Sequence, residues 1–331
     1  MRDPFGEFRA LLENHDNDII LKFFTGSKGT NMTLAQESSI LALIGSEPVG
    51  LKPIEIQKLM FMYTKLEETI PLYDFIPYEQ GCYSPTLAQD VHKLAEKGFL
   101  KALDQDVKDK KKWALTEEGE VRVFAKRATI VRLIHFLKRY PYRGMDLIAD
   151  VYRRYPYWAI NSTIKDFVLR NDVEAFDKIE AARPTEKQPL ASIGYEGRTF
   201  ENYLNSLIRN GIKVLCDVRK NPISRKYGFS KSTLQNACAK ICIEYRHFPE
   251  LGIPSYERTD LRYQSDYDDL FARYEKTVLP NHCETLDVLA RLVETNVGVA
   301  LTCFEANPAQ CHRTRVLNAI TNRTGVGAVL I

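Results

Sequence analysis

The sequence predicts an α/β protein in which a five-stranded, mostly parallel, doubly wound sheet is preceded by a winged helix-turn-helix and a helical connector. Three observations predict it. After residue 189, short apolar runs rich in Val, Ile and Leu alternate with amphipathic stretches, as parallel strands separated by helices require. Before residue 127 the order is helix, helix, helix, hairpin, helix, which is the order of a winged helix. Between these regions the segment RPTEKQP (183–189) has two prolines, three charges and no large apolar side chain, the composition of a linker.

Residues 1–35 are expected to form an N-terminal helical extension, with an amphipathic stretch at 5–24 followed by a polar loop. The winged helix-turn-helix domain spans 36–126. Its first helix is ESSILALIGS. Pro53 opens the second, PIEIQKLMFMYTKLEE, at a first-turn position where its missing N–H costs nothing. FIPYEQGCYSP reads as a turn-rich lead-in to PTLAQDVHKLAEKGFL, whose Leu87, Val91 and Leu94 recur at helical spacing until Gly98 ends the run. FLKALDQ and KWALTEEG are the arms of a hairpin with a charged tip at 106–112, and helix resumes at Glu117. Residues 127–182 are helical and aromatic-rich, a connector or a dimerising element through which the chain would pair with a second copy.

In the back domain, 190–331, PLASIG, IKVLCDV, IEYRHF, VGVALTCF and VGAVLI are the five strands. FENYLNSLIRNG, SKSTLQNACAKI, YDDLFARYEKTVL, ETLDVLARLVETN and PAQCHRTRVLNAITNRT are the intervening helices. The last of these is expected to begin with Asn307 as its cap and Pro308 in its first turn, a helix start that favours an anion.

Composition narrows the partners. The chain has 331 residues, 44% hydrophobic and 27% charged, with a net charge of +3, so any nucleic-acid contact must come from local clusters. Seven cysteines, an odd count without small-scaffold spacing, and a charged beginning, MRDPFGEFRALLENHDN, point to reduced thiols and a cytoplasmic location. No apolar run approaches the ~20 residues of a membrane span.

In a parallel sheet, ligands bind beyond the carboxyl ends of the strands. The polar residues fall there. Strand one leads into Gly194, Tyr195, Glu196, Gly197 and Arg198, and strand two into Asp217, Arg219, Asn221, Ser224, Arg225 and Lys226. Strand three delivers His247 and Glu250; strand four delivers Cys303 and Glu305, followed by Cys311, His312 and Arg313.

The motifs GYEGR, CDVRKNPISRKYGFSK, HFPELG and CFEANPAQCHR, in that order, resemble the domain-of-unknown-function 488 family. The resemblance implies an α/β domain of unassigned activity. FIPYEQGCYSP is similar to an F-x-P-Y-x-x-G-x-Y-S-P signature of winged-helix modules.

The residue chemistry suggests roles. Glu305, Asp217 and His247 are the candidate catalytic groups; a glutamate just past a buried strand can serve as base, or as nucleophile towards an anomeric carbon. Asp217 is equally readable as one half of a structural ion pair. Gly194, Tyr195, Glu196, Gly197, Arg198, Arg219, Arg225, Lys226, Cys303, His312 and Arg313 form the candidate substrate and phosphate surface, the arginines as forked donors and Tyr195 or His247 as a partner for a base. GYEGR lacks the third glycine of a dinucleotide fingerprint, and no cofactor is expected. C-x7-C-H matches no standard zinc spacing, so no metal is expected. A phosphatase loop would need Arg six residues after Cys303, where Ala309 stands. Lys108, Lys110, Lys111 and Lys112 are the candidate DNA contacts. The expected function is a DNA-binding protein whose α/β domain acts on a nucleotide or modified base, cleaving an N-glycosidic or phosphate bond. The alternative is a regulator that senses a nucleotide-like ligand without catalysis.

Overall fold

The computed structural model describes residues 32–67, 71–103, 111–124, 127–258 and 260–331, without the side chains of 124 and 127–130. The stretch 5–24 and the lysines Lys108 and Lys110 lie outside the described residues.

Helix α1 (Leu34–Gly45) starts at a capping box: Gln36 N donates to Thr33 Oγ1, and Thr33 N donates to Gln36 Oε1. Helix α2 (Pro53–Leu66) has Pro53 in its first turn, as the sequence indicates. The segment read as a turn-rich lead-in is instead a small antiparallel hairpin, β1 (Ile76–Tyr78) and β2 (Gly81–Tyr83). It turns at Gly81, whose φ is +87° and whose absent Cβ would lie 2.5 Å from Tyr152 Cε1. Tyr78 stacks on Tyr83 across it, with centroids 4.7 Å apart. Then come α3 (Pro85–Glu96), the antiparallel pair β3 (Leu100–Leu103) and β4 (Lys112–Leu115), and α4 (Glu117–Phe124). Residues 127–182 hold α5 (Arg127–Arg139), α6 (Gly144–Arg154), α7 (Lys165–Leu169) and α8 (Val173–Ala181). Residues 183–189 run without regular structure to the sheet.

That sheet is all-parallel: β5 (Leu190–Gly194), β6 (Val214–Asp217), β7 (Glu244–His247), β8 (Val299–Cys303) and β9 (Val329–Leu330) lie in the order β7-β6-β8-β5-β9. All five expected strands form. Their order places β8 between β5 and β6, pairing Gly194 with Cys303 and Asp217 with Thr302. Asp217 pairs with His247 on its other side. Successive side chains alternate between faces. On one face Leu190, Val214, Val299 and Leu301 pack with Phe271 of α11 (Gln264–Thr277), Leu289 of α12 (Cys283–Glu294) and Ile320 of α13 (Arg313–Thr324). On the other, Tyr203 of α9 (Phe200–Arg209) donates through its hydroxyl to Thr302 Oγ1 at 2.8 Å. Helix α10 (Lys231–Lys240) runs between β6 and β7 in the chain. Parallel strands bring their carboxyl ends to one edge, so Gly194, Asp217, His247 and Cys303 stand in a row.

Residues 32–331 form one compact unit. Glu201 of α9 accepts from Ser84 Oγ (2.9 Å) and Thr86 N (2.8 Å) at the start of α3, and Asn205 Nδ2 donates to Phe75 O (2.7 Å). Ser84, Phe75 and Glu201 are buried by this contact, which raises the Glu201 carboxyl above its usual range through desolvation. Among the described residues, no helix is long and apolar enough to cross a membrane.

Candidate functional site

The loop after β5 is fastened to the loop after β8. Glu196 N donates to Phe304 O (2.9 Å), and Ala306 N donates to Glu196 Oε2 (2.9 Å). Gly194 is what lets them meet: a Cβ there would lie 2.0 Å from Glu305 O. The first glycine of GYEGR therefore serves close backbone approach and fixes the chain that carries Glu305. Arg198 is used in structure, donating to Ser206 Oγ and Ile331 O. Gly197, at φ +73°, is a turn residue.

Asp217, at the end of β6, is fully buried and saturated. Both of its oxygens accept from Arg219, Oδ1 at 2.8 Å from Nε and Oδ2 at 2.5 Å from Nη2; Tyr245 Oη donates to Oδ2 at 2.6 Å. Arg219 Nη1 donates to Tyr195 Oη (2.9 Å) and Phe229 O (2.8 Å). The pairing also pushes the Tyr245 phenol far up, by burial first and the Asp217 charge second. The arrangement is a fork on a carboxylate with every lone-pair direction used. Asp217 thus has no free oxygen to offer a substrate, which corrects its expected catalytic role towards the ion-pair reading. His247 is similarly engaged: Nε2 donates to Arg219 O (2.9 Å), which fixes the tautomer, and Nδ1 faces Lys231 Nζ at 3.3 Å. One face of Tyr195 is taken by Phe229, which stacks on it at 4.3 Å, and Phe304 meets the ring in a T-shaped contact.

The end of β8 is different. Cys303 is buried, and its Sγ lies 3.1 Å from Glu305 Oε2 and 3.8 Å from His312 Nδ1. His312 Nε2 donates to Val218 O (2.9 Å); a carbonyl can only accept, so the Nδ1 lone pair points at Cys303 unless the ring is doubly protonated. A hydrogen bond from Cys311, then the nearby His312 and Arg258, hold Cys303 well below the usual thiol range against the opposing effect of burial. Burial and the neighbouring Cys303 push Cys311 far up. Glu305 pairs with Arg258, on the 3-10 turn Ser255–Arg258. Arg313 is fully buried and, among the described residues, has no carboxylate partner: Nε donates to Ser192 Oγ (2.7 Å), Nη1 to Glu305 O (2.9 Å) and to Cys311 Sγ (3.3 Å), and Nη2 has no partner.

These cysteine and histidine contacts exist because α13 begins late. Asn307 caps only the short 3-10 turn Pro308–Gln310, where its side chain accepts from Ala309 N. The helix proper starts at Arg313 with His312 as its cap, five residues after the expected start, and the turn folds Cys311 and His312 back on Cys303.

Between the loops after β5, β6 and β8 lies a cleft of about 320 Å³. Of the expected site residues it gathers Tyr195, Arg219, Arg225, Cys303, Glu305 and His312. Gly194, Glu196, Gly197, Arg198, Asp217, Lys226, His247 and Arg313 are not in its lining; Lys226, for one, donates to Tyr195 O at 2.7 Å. The cleft also takes Lys220, Asn221, Ser224, Ser255 and Arg258. Arg258 had no signal in the strand-end pattern, because it sits in a loop before α11. A second cavity of about 390 Å³ in the front half is lined by Tyr78, Tyr83, His92 and Trp113, with Lys58 at its wall.

Residues 199–320 match the family model described as Domain of unknown function DUF488. The match runs from the start of α9 into α13, and so takes in Asp217, Arg219, Arg258 and the whole Cys303–Arg313 segment. It supports the resemblance for the back domain and carries no activity with it. No curated protein and no solved structure matches the chain.

Proposed function

We propose that the cleft binds a phosphate-bearing nucleotide or modified base, and that Glu305 acts on it as acid, base or nucleophile to cleave an N-glycosidic or phosphate bond. One observation carries the reading: the Glu305 carboxylate, oriented by Arg258, stands in the wall of a cleft whose lining also includes Arg219, Lys220, Asn221, Ser224 and Arg225 beside the apolar Ile223, Ile253 and Phe304. The Arg219 charge is answered by Asp217 and that of Arg258 by Glu305. Among the described residues of the cleft, Lys220 and Arg225 are thus the cations left for phosphate oxygens. A cleft of this size takes one nucleotide rather than a duplex, so the target base would leave its stack to enter. Incubation with nucleotides and with modified and unmodified oligonucleotides, read by mass spectrometry, tests it. A product formed by the wild type and lost with Glu305→Gln supports the reading; no product from any of them removes it.

Residues 36–126 are assigned to DNA through phosphate contact. The order of elements, with Lys111 and Lys112 on the β3–β4 hairpin, supports a winged helix. In that fold the start of the third helix reads base edges, but here Ser84 and Thr86 are engaged by Glu201. Backbone contact through the half-buried Lys111 and Lys112 is the part of the reading that Glu201 does not engage.

The same Glu201 favours a second reading, a nucleotide sensor. Helix α9 begins just after the Tyr195–Arg198 loop and holds α3 by its first turn, so a ligand in the cleft has a short path to the front half. Ligand-dependent DNA affinity without turnover would select the sensor.

A further inference from the structure

The donor atoms of Cys303, Cys311 and His312 all lie within 4.8 Å of one another, and all three residues are buried. A tetrahedral zinc with ordinary Zn–S and Zn–N bonds sets its ligand atoms roughly 3.5–3.8 Å apart. Cys303 Sγ and His312 Nδ1 are 3.8 Å apart. Two further features fit a cation. His312 donates Nε2–H to Val218 O, the outer hydrogen bond that orients a metal-binding imidazole and presents Nδ1 as the donor. Arg313 is a fully buried guanidinium with no carboxylate, and one of its N–H groups points at Cys311 Sγ. Buried charge requires an opposite charge, and metal-bound thiolates supply it.

We propose that Cys303, Cys311 and His312 hold a zinc ion whose fourth position opens on the cleft beside Glu305. Two sulfurs and one imidazole nitrogen are a soft, zinc-type donor set, and three protein ligands with one open position is the pattern of a catalytic rather than a structural site. The C-x7-C-H spacing is not a standard one because the 3-10 turn, not a knuckle or a single helix, brings the ligands together. A zinc held there would supply an acidified water as nucleophile, and Glu305 would be the carboxylate placed to take its proton. The zinc site stands on its own geometry; its use in hydrolysis rests on the function proposed above.

The test is metal content, read without any substrate. The full-length protein, loaded with Zn²⁺ and dialysed into metal-free buffer, is expected to retain about one zinc per chain by elemental analysis. Cys303→Ser, Cys311→Ser and His312→Ala should each lower retention to background, whereas Glu305→Gln should keep it. Cobalt loading of the wild type guards against a variant that fails to fold: a four-coordinate thiolate site gives sulfur-to-cobalt charge-transfer bands and intense visible bands. Background zinc in the loaded wild type, or an absence of those cobalt bands, overturns the proposal. So does a Cys303–Cys311 disulfide found in place of the metal. A metal-free protein that still turns over substrate sinks the zinc and leaves the cleft reading standing; a zinc-loaded protein without turnover does the reverse.

Discussion

Asp217 at the end of β6 and Cys303 at the end of β8 stand on adjacent strands, both buried among polar groups, and the two clusters have opposite bookkeeping. Around Asp217 every charge is answered: the carboxylate accepts a fork from Arg219 and a phenolic proton from Tyr245, and Arg219 spends its remaining donors on Tyr195 and Phe229. Around Cys303 the groups are left over. Among the described residues Arg313 has no carboxylate and one idle donor, and His312 turns a ring nitrogen towards a sulfur, while Glu305, paired with Arg258, stands in the cleft wall. The difference teaches that a polar residue at a strand end is not by itself a sign of chemistry. A saturated cluster holds the fold, and an unsaturated one is where a ligand or an ion completes the structure.

Substitutions separate the two. Asp217→Ala leaves Arg219 buried without its partner and should destabilise the protein by about 3–5 kcal/mol in urea unfolding. Glu305→Gln, by contrast, should change stability by less than about 1 kcal/mol. If the two costs came out equal, the division between a structural and a functional cluster would fail. Within the saturated cluster, Tyr245→Phe removes a hydrogen bond to a charged oxygen, and about 1.5–3 kcal/mol is expected by the same measurement. A negligible cost would show that Arg219 alone suffices.

The front half extends the contrast to the surface. Lys110, Lys111 and Lys112 are the cations proposed for phosphate, and replacing all three with Ala should lower the salt slope of DNA binding by about 3 at most. An unchanged slope would take the hairpin out of any DNA interface. The smallest effect concerns Glu201, which is buried and hydrogen-bonded like Asp217 but by neutral donors. Its raised carboxyl binds a proton more tightly in the folded protein than in the unfolded chain. The stability this contributes is present below the ordinary glutamate value of 4.5 and is lost as pH rises through the raised folded value. Glu201→Gln should remove that slope from the stability–pH profile; a slope that persists would place its origin elsewhere.

The strands were readable because each is a short apolar run between helical stretches, and all five form where the pattern puts them. Their order was not, since nothing in a local pattern says that β8 inserts between β5 and β6. That insertion is what sets Cys303 beside Gly194 and Thr302 beside Asp217. Glu305, Arg219, Arg225 and His312 were legible as cleft residues from topology alone. Asp217 and His247 share the same edge, but their side chains turn into hydrogen bonds that a sequence does not reveal. Arg258 comes from a turn far from any strand end, and the Cys303–Cys311–His312 grouping depends on a three-residue turn that reads as ordinary helix. FIPYEQGCYSP shows the same limit, for its proline and glycine mark a turn without telling that the flanks pair.

The central claim is that Glu305 works on a substrate held in the cleft. The most direct measurement compares wild type and Glu305→Gln with the nucleotide or oligonucleotide that gives the largest product signal, following binding by calorimetry and turnover by mass spectrometry. Retained binding with turnover reduced about 10²–10⁴-fold is the predicted result. Turnover by Glu305→Gln at the wild-type rate would contradict it.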